Sequence, residues 1–499
     1  MKFINFFLVA VIGSTLMACN AEDQPEVKQH ETDSYASITV KFPGKASTRA
    51  LPGDYNQNGV WTGRDTLETV TVFLVNIPKG VVDYNSFTKS AFQSIDADGV
   101  LHPNLALKAT AGDSVRAFVV INGEASILNA LKATSAANFQ AEFADAVQKT
   151  ASQVARLNPN GRETIMMTND ADSYVIKVVS GVNEEDAMEG PGNHVEIQVE
   201  RVVSRAFMTV TPEANTNGGW PVNAVIGGVE TQIATVTNVT YAVGQSNNNF
   251  FLMKQANYAV PSPVYAFNPE NVAAWNAVNT TNFDYSGLTS FTAVTPWTYN
   301  IATIATPLAA ETTSKFVLPV NHLVDETDID VARDHYKKGN TTYFEIRATF
   351  IPSNIDGETN TTVPDSVFWG ENDKKFYSTR ALAEAQGQKA TEFTGGVMKY
   401  VLWLNPNDMT STGTDPNPKV SPTVRNQVYH AHINAFLRMG VPNNPLNPED
   451  PDNGDNPDNL INVEDPLKTD FTYLSVSVKV LPWTIHTYQY SLTDPGTMY

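Results

Sequence analysis

Apolar and polar residues alternate along much of this chain. A two-residue period predicts strands, because successive side chains of a strand point to opposite faces. The pattern recurs in residues 69–76, 115–122, 163–168, 173–179, 194–199, 205–211, 235–243, 342–351, 398–404 and 428–437. The clearest helical period lies in residues 127–149, where Phe139, Phe143 and Val147 recur every four residues, and a shorter helix is expected after Arg380. The chain is therefore predicted to be all-β with minor helices.

The two ends of the chain carry nearly the same strand. Residues 37–43 read Ser-Ile-Thr-Val-Lys-Phe-Pro, and residues 475–480 read Ser-Val-Ser-Val-Lys-Val before a Leu-Pro pair. Both have the two-residue period of a half-buried strand, with one face in the core and one towards solvent, and the apolar residues of the first share one face: Ile38, Val40 and Phe42. Those of the second share one face as well: Leu474, Val476, Val478 and Val480. Two such strands are able to occupy one groove, each in a different molecular state.

The first 19 residues have the features of an export signal. Lys2 supplies a positive start, residues 6–16 form a short apolar stretch, and Leu-Met-Ala-Cys ends the segment at Cys19. This ending predicts lipidation of Cys19. The chain has 1 cysteine, so an internal disulfide does not explain its position. An ordinary signal peptide that happens to contain a cysteine is the alternative.

A potential cleavage site follows the first strand. Residues 44–53 are small or polar around Arg49 and end in Pro-Gly, which is typical of an exposed loop where proteolysis occurs. Cleavage between Arg49 and Ala50 would detach the lipid anchor and the first strand together. On residue type alone, Arg49 is better explained as an ordinary solvated surface residue.

Composition narrows the class of protein. The net charge is -20, and it argues against nucleic acid and anionic membranes as partners. Together, 29 Pro and 29 Gly favour strands joined by long loops. A cluster of Pro and Gly residues near residue 190 indicates a domain boundary. An acidic linker near residue 450 indicates a second boundary. The expected divisions are a signal peptide (1–19), a propeptide with a removable strand (20–49), an N-terminal β-sandwich (50–190), a C-terminal β-sandwich (191–445), a flexible linker (446–466) and a C-terminal donor segment (467–499).

The sequence offers little catalytic or metal-binding chemistry. His430 and His432 alternate on a predicted strand, but no well-spaced third ligand accompanies them, so they are expected to be ordinary histidines. The aspartates of residues 450–458 depart from the spacing of an EF-hand loop. We find no recognisable nucleophile or carboxylate motif. The chain is therefore predicted to be neither an enzyme nor a metal or cofactor protein.

Several short motifs resemble those of the fimbrillins of the Bacteroidetes, the type V pilins, and most of all the major subunits of their short, or minor, fimbriae. The motifs are Glu-Arg-Val-Val-Ser-Arg at 200–205, Val-Arg-Asn-Gln-Val-Tyr at 424–429, Gly-Val-Pro at 440–442 and Val-Lys-Val-Leu-Pro-Trp at 478–483. The resemblance implies two transthyretin-like β-sandwich domains, lipoprotein export, and cleavage by an arginine-specific protease. The position that matches the cleavage site is Arg49.

The resemblance and the twin strands together predict a fimbrial shaft subunit. Removal of residues 20–49 would open a groove, and the C-terminal strand of a neighbouring subunit would fill it, giving a head-to-tail filament. The expected partners are identical subunits, tip and anchor fimbrial proteins, the protease, and host or bacterial surface receptors, without nucleic acid. The precursor is expected at the outer membrane and the mature form in extracellular fimbriae. The alternative is a surface lipoprotein that binds glycans through some of its 7 Trp and never polymerises, which leaves the twin strands unexplained.

Overall fold

The structure is a computed structural model. It describes residues 34–42, 57–60, 64–92, 100–172, 174–189, 192–212, 218–261, 283–322, 336–404, 423–442, 474–475 and 484–492.

Strands dominate the described residues. The first fourteen are β1 (Ser34–Lys41), β2 (Gln57–Val60), β3 (Thr69–Asn76), β4 (Val81–Thr88), β5 (Val100–Leu101), β6 (Leu107–Ala109), β7 (Gly112–Ile121), β8 (Ala146–Gln148), β9 (Ala155–Leu157), β10 (Glu163–Ile165), β11 (Met167–Asn169), β12 (Val175–Val178), β13 (His194–Arg201) and β14 (Ser204–Val210). The next ten are β15 (Trp220–Ile226), β16 (Val229–Gly244), β17 (Ser246–Asn247), β18 (Asn249–Phe251), β19 (Phe283–Asp284), β20 (Thr292–Ala293), β21 (Thr295–Pro296), β22 (Lys315–Val317), β23 (Tyr343–Pro352) and β24 (Asn354–Ile355). The last eight are β25 (Glu358–Thr359), β26 (Ser366–Gly370), β27 (Lys375–Tyr377), β28 (Ala390–Thr394), β29 (Val397–Trp403), β30 (Gln427–Phe436), β31 (Leu474–Ser475) and β32 (Thr484–Leu492).

The helices of the described residues are short. They are α1 (Ala125–Ala133), α2 (Phe139–Ala144), α3 (Ala151–Val154), α4 (Glu184–Glu189), α5 (Ala305–Ala310) and α6 (Arg380–Ala385). The predicted all-β class with minor helices is confirmed.

The first large sheet is formed by the N-terminal part of the chain. Its strands run in the order β4-β3-β7-β11-β13-β1-β5, with β12 beside β7 and β6 beside β1. The sheet folds over on itself, so the β3–β7 side packs against the β1–β13 side to form a sandwich. The residues between the two sides are apolar, among them Val72, Val119, Ile38, Val40 and Ile197. Because β13 belongs to this sheet, the first domain continues past residue 190 to the turn at Val202 and Val203.

Helices cover the outer face of β3 and β7. Phe139 and Phe143 of α2 pack on Phe118, with ring centroids 5.1 and 4.8 Å away. The sequence predicts one helix over residues 127–149, whereas the structure has two helices and then β8. The first helix ends because Thr134 is extended. Val147 lies in β8 and pairs with Phe250 of β18, so a tertiary contact overrides the helical period there.

The second large sheet is formed by the C-terminal part of the chain. Its strands run in the order β2-β32-β30-β15-β16-β23-β29, and β14 lies parallel to β30. A smaller sheet of β26, β27 and β28 covers it with Val367, Trp369, Phe376 and Phe393, which share its hydrophobic core. These two layers form the second β-sandwich.

Buried charged side chains join the two domains. Arg205 of β14 lies 2.5 Å from Glu311 of the second domain and 3.3 Å from Glu163 of the first, and all three side chains are buried. Arg425, also buried, donates to the carbonyl oxygens of Arg201 and Leu252, each at 3.1 Å. The two domains are thus connected by buried ion pairs and hydrogen bonds, which are stronger than the same contacts in water.

Candidate functional site: the groove around the N-terminal strand

The N-terminal strand β1 lies in the interior of the first sheet. On one edge it pairs in parallel with β13, from Ser37 opposite His194 to Lys41 opposite Gln198. On its other edge it pairs in antiparallel fashion with β5 and β6. Its withdrawal would leave unpaired backbone groups on both sides of an empty groove, the kind of edge that recruits another strand.

The inner face of β1 is apolar and buried. Ile38 is 3% exposed and Val40 is fully buried, and Ala36 beside them is also fully buried. Phe42 lies just beyond the end of the strand, is half-buried, and packs on the same core. The structure thus brings the three predicted residues of the removable strand into one hydrophobic core.

The outer face of β1 is polar, yet it is buried as well. The sequence predicts a strand with one solvated face, but Ser37 and Thr39 are 2% and 4% exposed. The reason is that α4 and the ring of His194 cover them, and each hydroxyl has a hydrogen-bonding partner. A buried hydroxyl without a partner would be costly.

One histidine binds both hydroxyls. The Ser37 Oγ–H donates to the carbonyl oxygen of Ala187 at 2.5 Å, so the Nδ1–H of His194 donates to Ser37 Oγ at 2.7 Å. The bare Nε2 of His194 then accepts from the Thr39 Oγ1–H at 2.6 Å. This arrangement uses the neutral ring, and burial lowers the pKa of His194, which favours that form.

The two ends of β1 are held by further polar contacts. Asn193 has a φ of 55°, a left-handed conformation that Asn tolerates, and its Nδ2 donates to Ser34 Oγ at 2.9 Å and to the carbonyl oxygen of Tyr35 at 2.8 Å. Ser34 Oγ–H donates to the carbonyl oxygen of Val179 at 2.6 Å. At the other end, Lys41 Nζ lies 3.4 Å from Glu196 Oε1.

No pattern in the sequence marks the roles of Asn193, His194 and Glu196. His194 and Glu196 fall in a predicted strand, and nothing local indicates which strand lies beside it. The only local signal is the Gly-Pro-Gly that precedes Asn193, which indicates a turn where Asn can adopt a positive φ.

The C-terminal strand lies in the second domain. β32 is parallel to β30, from Gln427 opposite Thr484 to Phe436 opposite Leu492, and β2 pairs with its other edge. Leu474 lies in β31, which pairs with the last residues of β32. The other predicted donor residues lie outside the described residues: Val476, Val478 and Val480. The same holds for the predicted lipidation and cleavage positions: Cys19, Arg49 and Ala50.

The two histidines considered as metal ligands lie in the core of the second domain. Thr209 Oγ1 is 2.7 Å from His430 Nε2 and 2.8 Å from His432 Nδ1, so one hydroxyl contacts both rings. Within the described ranges, no group of three metal-ligating side chains occurs. In the same part of the chain, no helix has the length and apolar character to cross a membrane.

Comparisons with known proteins address the function directly. A family model described as "Major fimbrial subunit protein type IV, Fimbrillin, C-terminal" matches residues 391–489. Two proteins named minor fimbrium subunit Mfa1, from Porphyromonas gingivalis, are each 28% identical over 523 residues that cover 98% of this chain and 99% of the relative. A solved fimbrilin of P. gingivalis W83 aligns with a TM-score of 0.39 and 12% identity, over 93% of this chain and 98% of its own. The sequence matches confirm the predicted resemblance to the fimbrillins and to a minor-fimbria subunit.

Proposed function

From this similarity, which supports a structural role in a fimbria, we propose that the chain is a shaft subunit polymerised by donor-strand exchange. It is exported as a precursor lipidated on Cys19 and tethered to the outer membrane. Cleavage after Arg49 then releases a subunit that assembles into extracellular fimbriae.

The position of β1 is the observation that carries this proposal. The strand is buried between β13 and the β5–β6 side of the sheet, and it ends eight residues before Arg49. A strand paired on both edges is ordinarily a permanent part of its sheet, so a potential cleavage site next to it needs an explanation. The sequence directly after it has the composition of an exposed loop with a potential cleavage site at Arg49, which supports the idea that this strand occupies the groove only temporarily.

The free energies of strand burial favour an intramolecular strand in the precursor and a donor strand from a second subunit after cleavage. Burial of Ile38 or Val40 contributes about 1.5–3 kcal/mol per side chain. The precursor gains this without an association cost, because the strand belongs to the same chain. A donor strand from a second subunit gains a similar amount, plus roughly 0.5–1.5 kcal/mol for each ladder hydrogen bond. Over a whole strand, these gains exceed the roughly 4–15 kcal/mol that association costs.

The donor is the segment around Leu474, Val476, Val478 and Val480. In the described residues, β31 makes only the pairs of Leu474 with Leu492 and of Ser475 with Ser491, so few hydrogen bonds are lost when it leaves. β32 remains in its own domain and fixes the root of the donor. The groove lies in the first domain, whereas the donor is attached to the second. Two different surfaces therefore meet in each contact, which is head-to-tail and extends without closing.

The partners follow from this assembly. Identical subunits form the shaft, tip and anchor fimbrial proteins complete the fimbria, and an arginine-specific protease starts the process. The finished fimbria mediates adhesion to host or bacterial receptors, colonisation and biofilm formation.

The experiment is assembly before and after limited arginine-specific proteolysis, followed by electron microscopy and by N-terminal sequencing of the product. We expect a new terminus at Ala50 and filaments only after cleavage. A chain truncated after Pro466 should be cleaved but remain monomeric.

Truncation also removes β32 from the second domain, so a point variant is the sharper test. Val478→Asp leaves β32 intact and should abolish assembly, because a buried, unpaired carboxylate costs several kcal/mol. Val476→Ile, an aliphatic replacement on the same face of the donor, is the matched control, and it should assemble. If the cleaved wild-type chain stays monomeric, the shaft function is refuted and a non-polymerising, glycan-binding lipoprotein becomes the better account.

A further inference from the structure

The match between the two terminal strands extends over the whole length of β1. Aligned without a gap, residues 34–42 read Ser-Tyr-Ala-Ser-Ile-Thr-Val-Lys-Phe, and residues 472–480 read Thr-Tyr-Leu-Ser-Val-Ser-Val-Lys-Val. The identical positions pair Tyr35 with Tyr473, Ser37 with Ser475, Val40 with Val478 and Lys41 with Lys479. At two more positions, a hydroxyl replaces a hydroxyl.

The apolar face of the donor does not fix this alignment. Leu474, Val476, Val478 and Val480 are all aliphatic, so a slip of two residues still presents aliphatic side chains to the core. Their sizes also differ from those in β1, because Ala36 aligns with the larger Leu474 and Phe42 with the smaller Val480. The register must therefore come from the polar contacts of the strand.

The polar contacts of the groove are matched along the strand, both on its outer face, at Ser37, Thr39 and Lys41, and at its start, at Ser34. Ser34 is held by Asn193, Ser37 and Thr39 by His194, and Lys41 by Glu196. The aligned donor residues keep each required group: Thr472, Ser475, Ser477 and Lys479.

A slip in either direction destroys this match. Shifted two residues one way, Lys479 occupies the enclosed place of Thr39 beside His194, and Leu474 occupies the place of Ser34. Shifted the other way, Tyr473 must fit where Ser37 is 2% exposed and bonded to Ala187. Both shifts bury a group that the groove does not satisfy.

We propose that Asn193, His194 and Glu196 select one register of the donor strand, in which Thr472–Val480 of a second copy of this chain replaces Ser34–Phe42. This inference rests on the proposed strand exchange and adds its specificity. The donor then runs parallel to β13, with Ser475 opposite His194 and Ser477 opposite Glu196, as Ser37 and Thr39 do in the precursor.

Cysteine cross-linking tests the register. Cleavage at Arg49 removes Cys19, the 1 cysteine of the chain, so introduced cysteines report without background. The Val195→Cys/Val476→Cys chain leaves the polar contacts unchanged and places two thiols directly opposite, as Val195 and Ile38 are in the precursor, so it should give a reducible ladder of covalent multimers. The matched control, Val195→Cys/Val478→Cys, places the thiols two residues out of register on the same face and should form filaments without the ladder.

The outcomes separate the register from the exchange itself. A ladder from the Val478→Cys control, or equal ladders from both chains, overturns the register. Failure of the cleaved wild-type chain to form filaments refutes the proposed function, and the register with it.

The role of the hydroxyls is tested on the donor side, which leaves the groove intact. Ser477→Val should slow assembly of cleaved subunits roughly tenfold, the cost of one or two lost hydrogen bonds. Ser477→Thr, which restores the hydroxyl of Thr39, should assemble at the wild-type rate. Equal rates for both variants would show that His194 does not select the donor.

Discussion

A change in the removable strand should alter the precursor and leave the mature subunit untouched. Ile38 is 3% exposed in the core of the first domain, so Ile38→Ala removes buried apolar atoms and leaves a cavity. Such substitutions cost about 2–5 kcal/mol. A cost of about 2.8 kcal/mol raises the fraction of chains with an open groove roughly a hundredfold.

The assay is binding of a fluorescent peptide with the sequence of residues 472–481 to the uncleaved chain, followed by anisotropy. The wild-type precursor should exclude the peptide, and the Ile38→Ala precursor should take it up. Lys41→Ala is the control on the same strand. Its side chain and that of Glu196 are 43% and 51% exposed, so their ion pair contributes at most about 1 kcal/mol.

Cleavage supplies a second control, because residue 38 is then lost. Filaments from cleaved wild-type and Ile38→Ala chains should form at the same rate. If Ile38→Ala melts at a lower temperature but its precursor still excludes the peptide as well as the wild type does, β1 does not occupy the donor groove and the reasoning is refuted.

Three further predictions concern the buried polar groups. Arg205→Met leaves the carboxylates of Glu163 and Glu311 buried without their shared cation and should lower the free energy of unfolding by about 3–5 kcal/mol, measured in urea. Arg425→Lys should also destabilise the chain, because one ammonium cannot reach the acceptors that the planar guanidinium contacts on both domains, and a thermal melt measures the loss. Burial lowers the pKa of His432 to about 4, so below about pH 6.5 the unfolded chain binds a proton that the folded chain does not. The free energy of unfolding should therefore fall as the pH is lowered from about 6.5 towards 4. His432→Asn should reduce the slope of that fall.

For each of these three predictions, one result would contradict it. Arg380→Met is the control for Arg205, since its side chain is 52% exposed, and an equal loss in both variants would contradict a special role for the buried cluster. A wild-type melting temperature for Arg425→Lys would show that the carbonyl contacts contribute little. An unchanged pH slope in His432→Asn would assign acid sensitivity to other groups, beginning with His430, whose pKa burial also lowers.

Local pattern was sufficient to predict several of the long strands, although it missed others such as β4 (Val81–Thr88) and β15 (Trp220–Ile226). The alternation over residues 69–76 corresponds to β3, and the alternation over residues 398–404 overlaps β29, which ends at Trp403. The period of Ile38, Val40 and Phe42 predicted the inner face of β1 for the same reason: side chains that alternate must separate into two faces.

The groove itself required information that no local pattern contains. Ser37 and His194 are separated by 157 residues, and their contact depends on which strand lies beside β1 and in which register. The polar face of β1 was expected to be solvated, because a serine and a threonine give no sign that α4 will cover them. The helix over residues 127–149 was divided for a similar reason, since Val147 gains a partner strand from a distant part of the chain.

The division of the N-terminal segment between the two sheets has a consequence for timing. β1 belongs to the first sheet, whereas β2, only sixteen residues further on, pairs with β32 in the second. While the chain is intact, this connection holds β1 near its groove at a high effective concentration, so each opening is followed by return of the same strand. After the proposed cleavage, the mature terminus stays with the second domain, and a departing β1 is diluted into the surroundings. Cleavage therefore makes the exchange effectively irreversible, without any change in the groove.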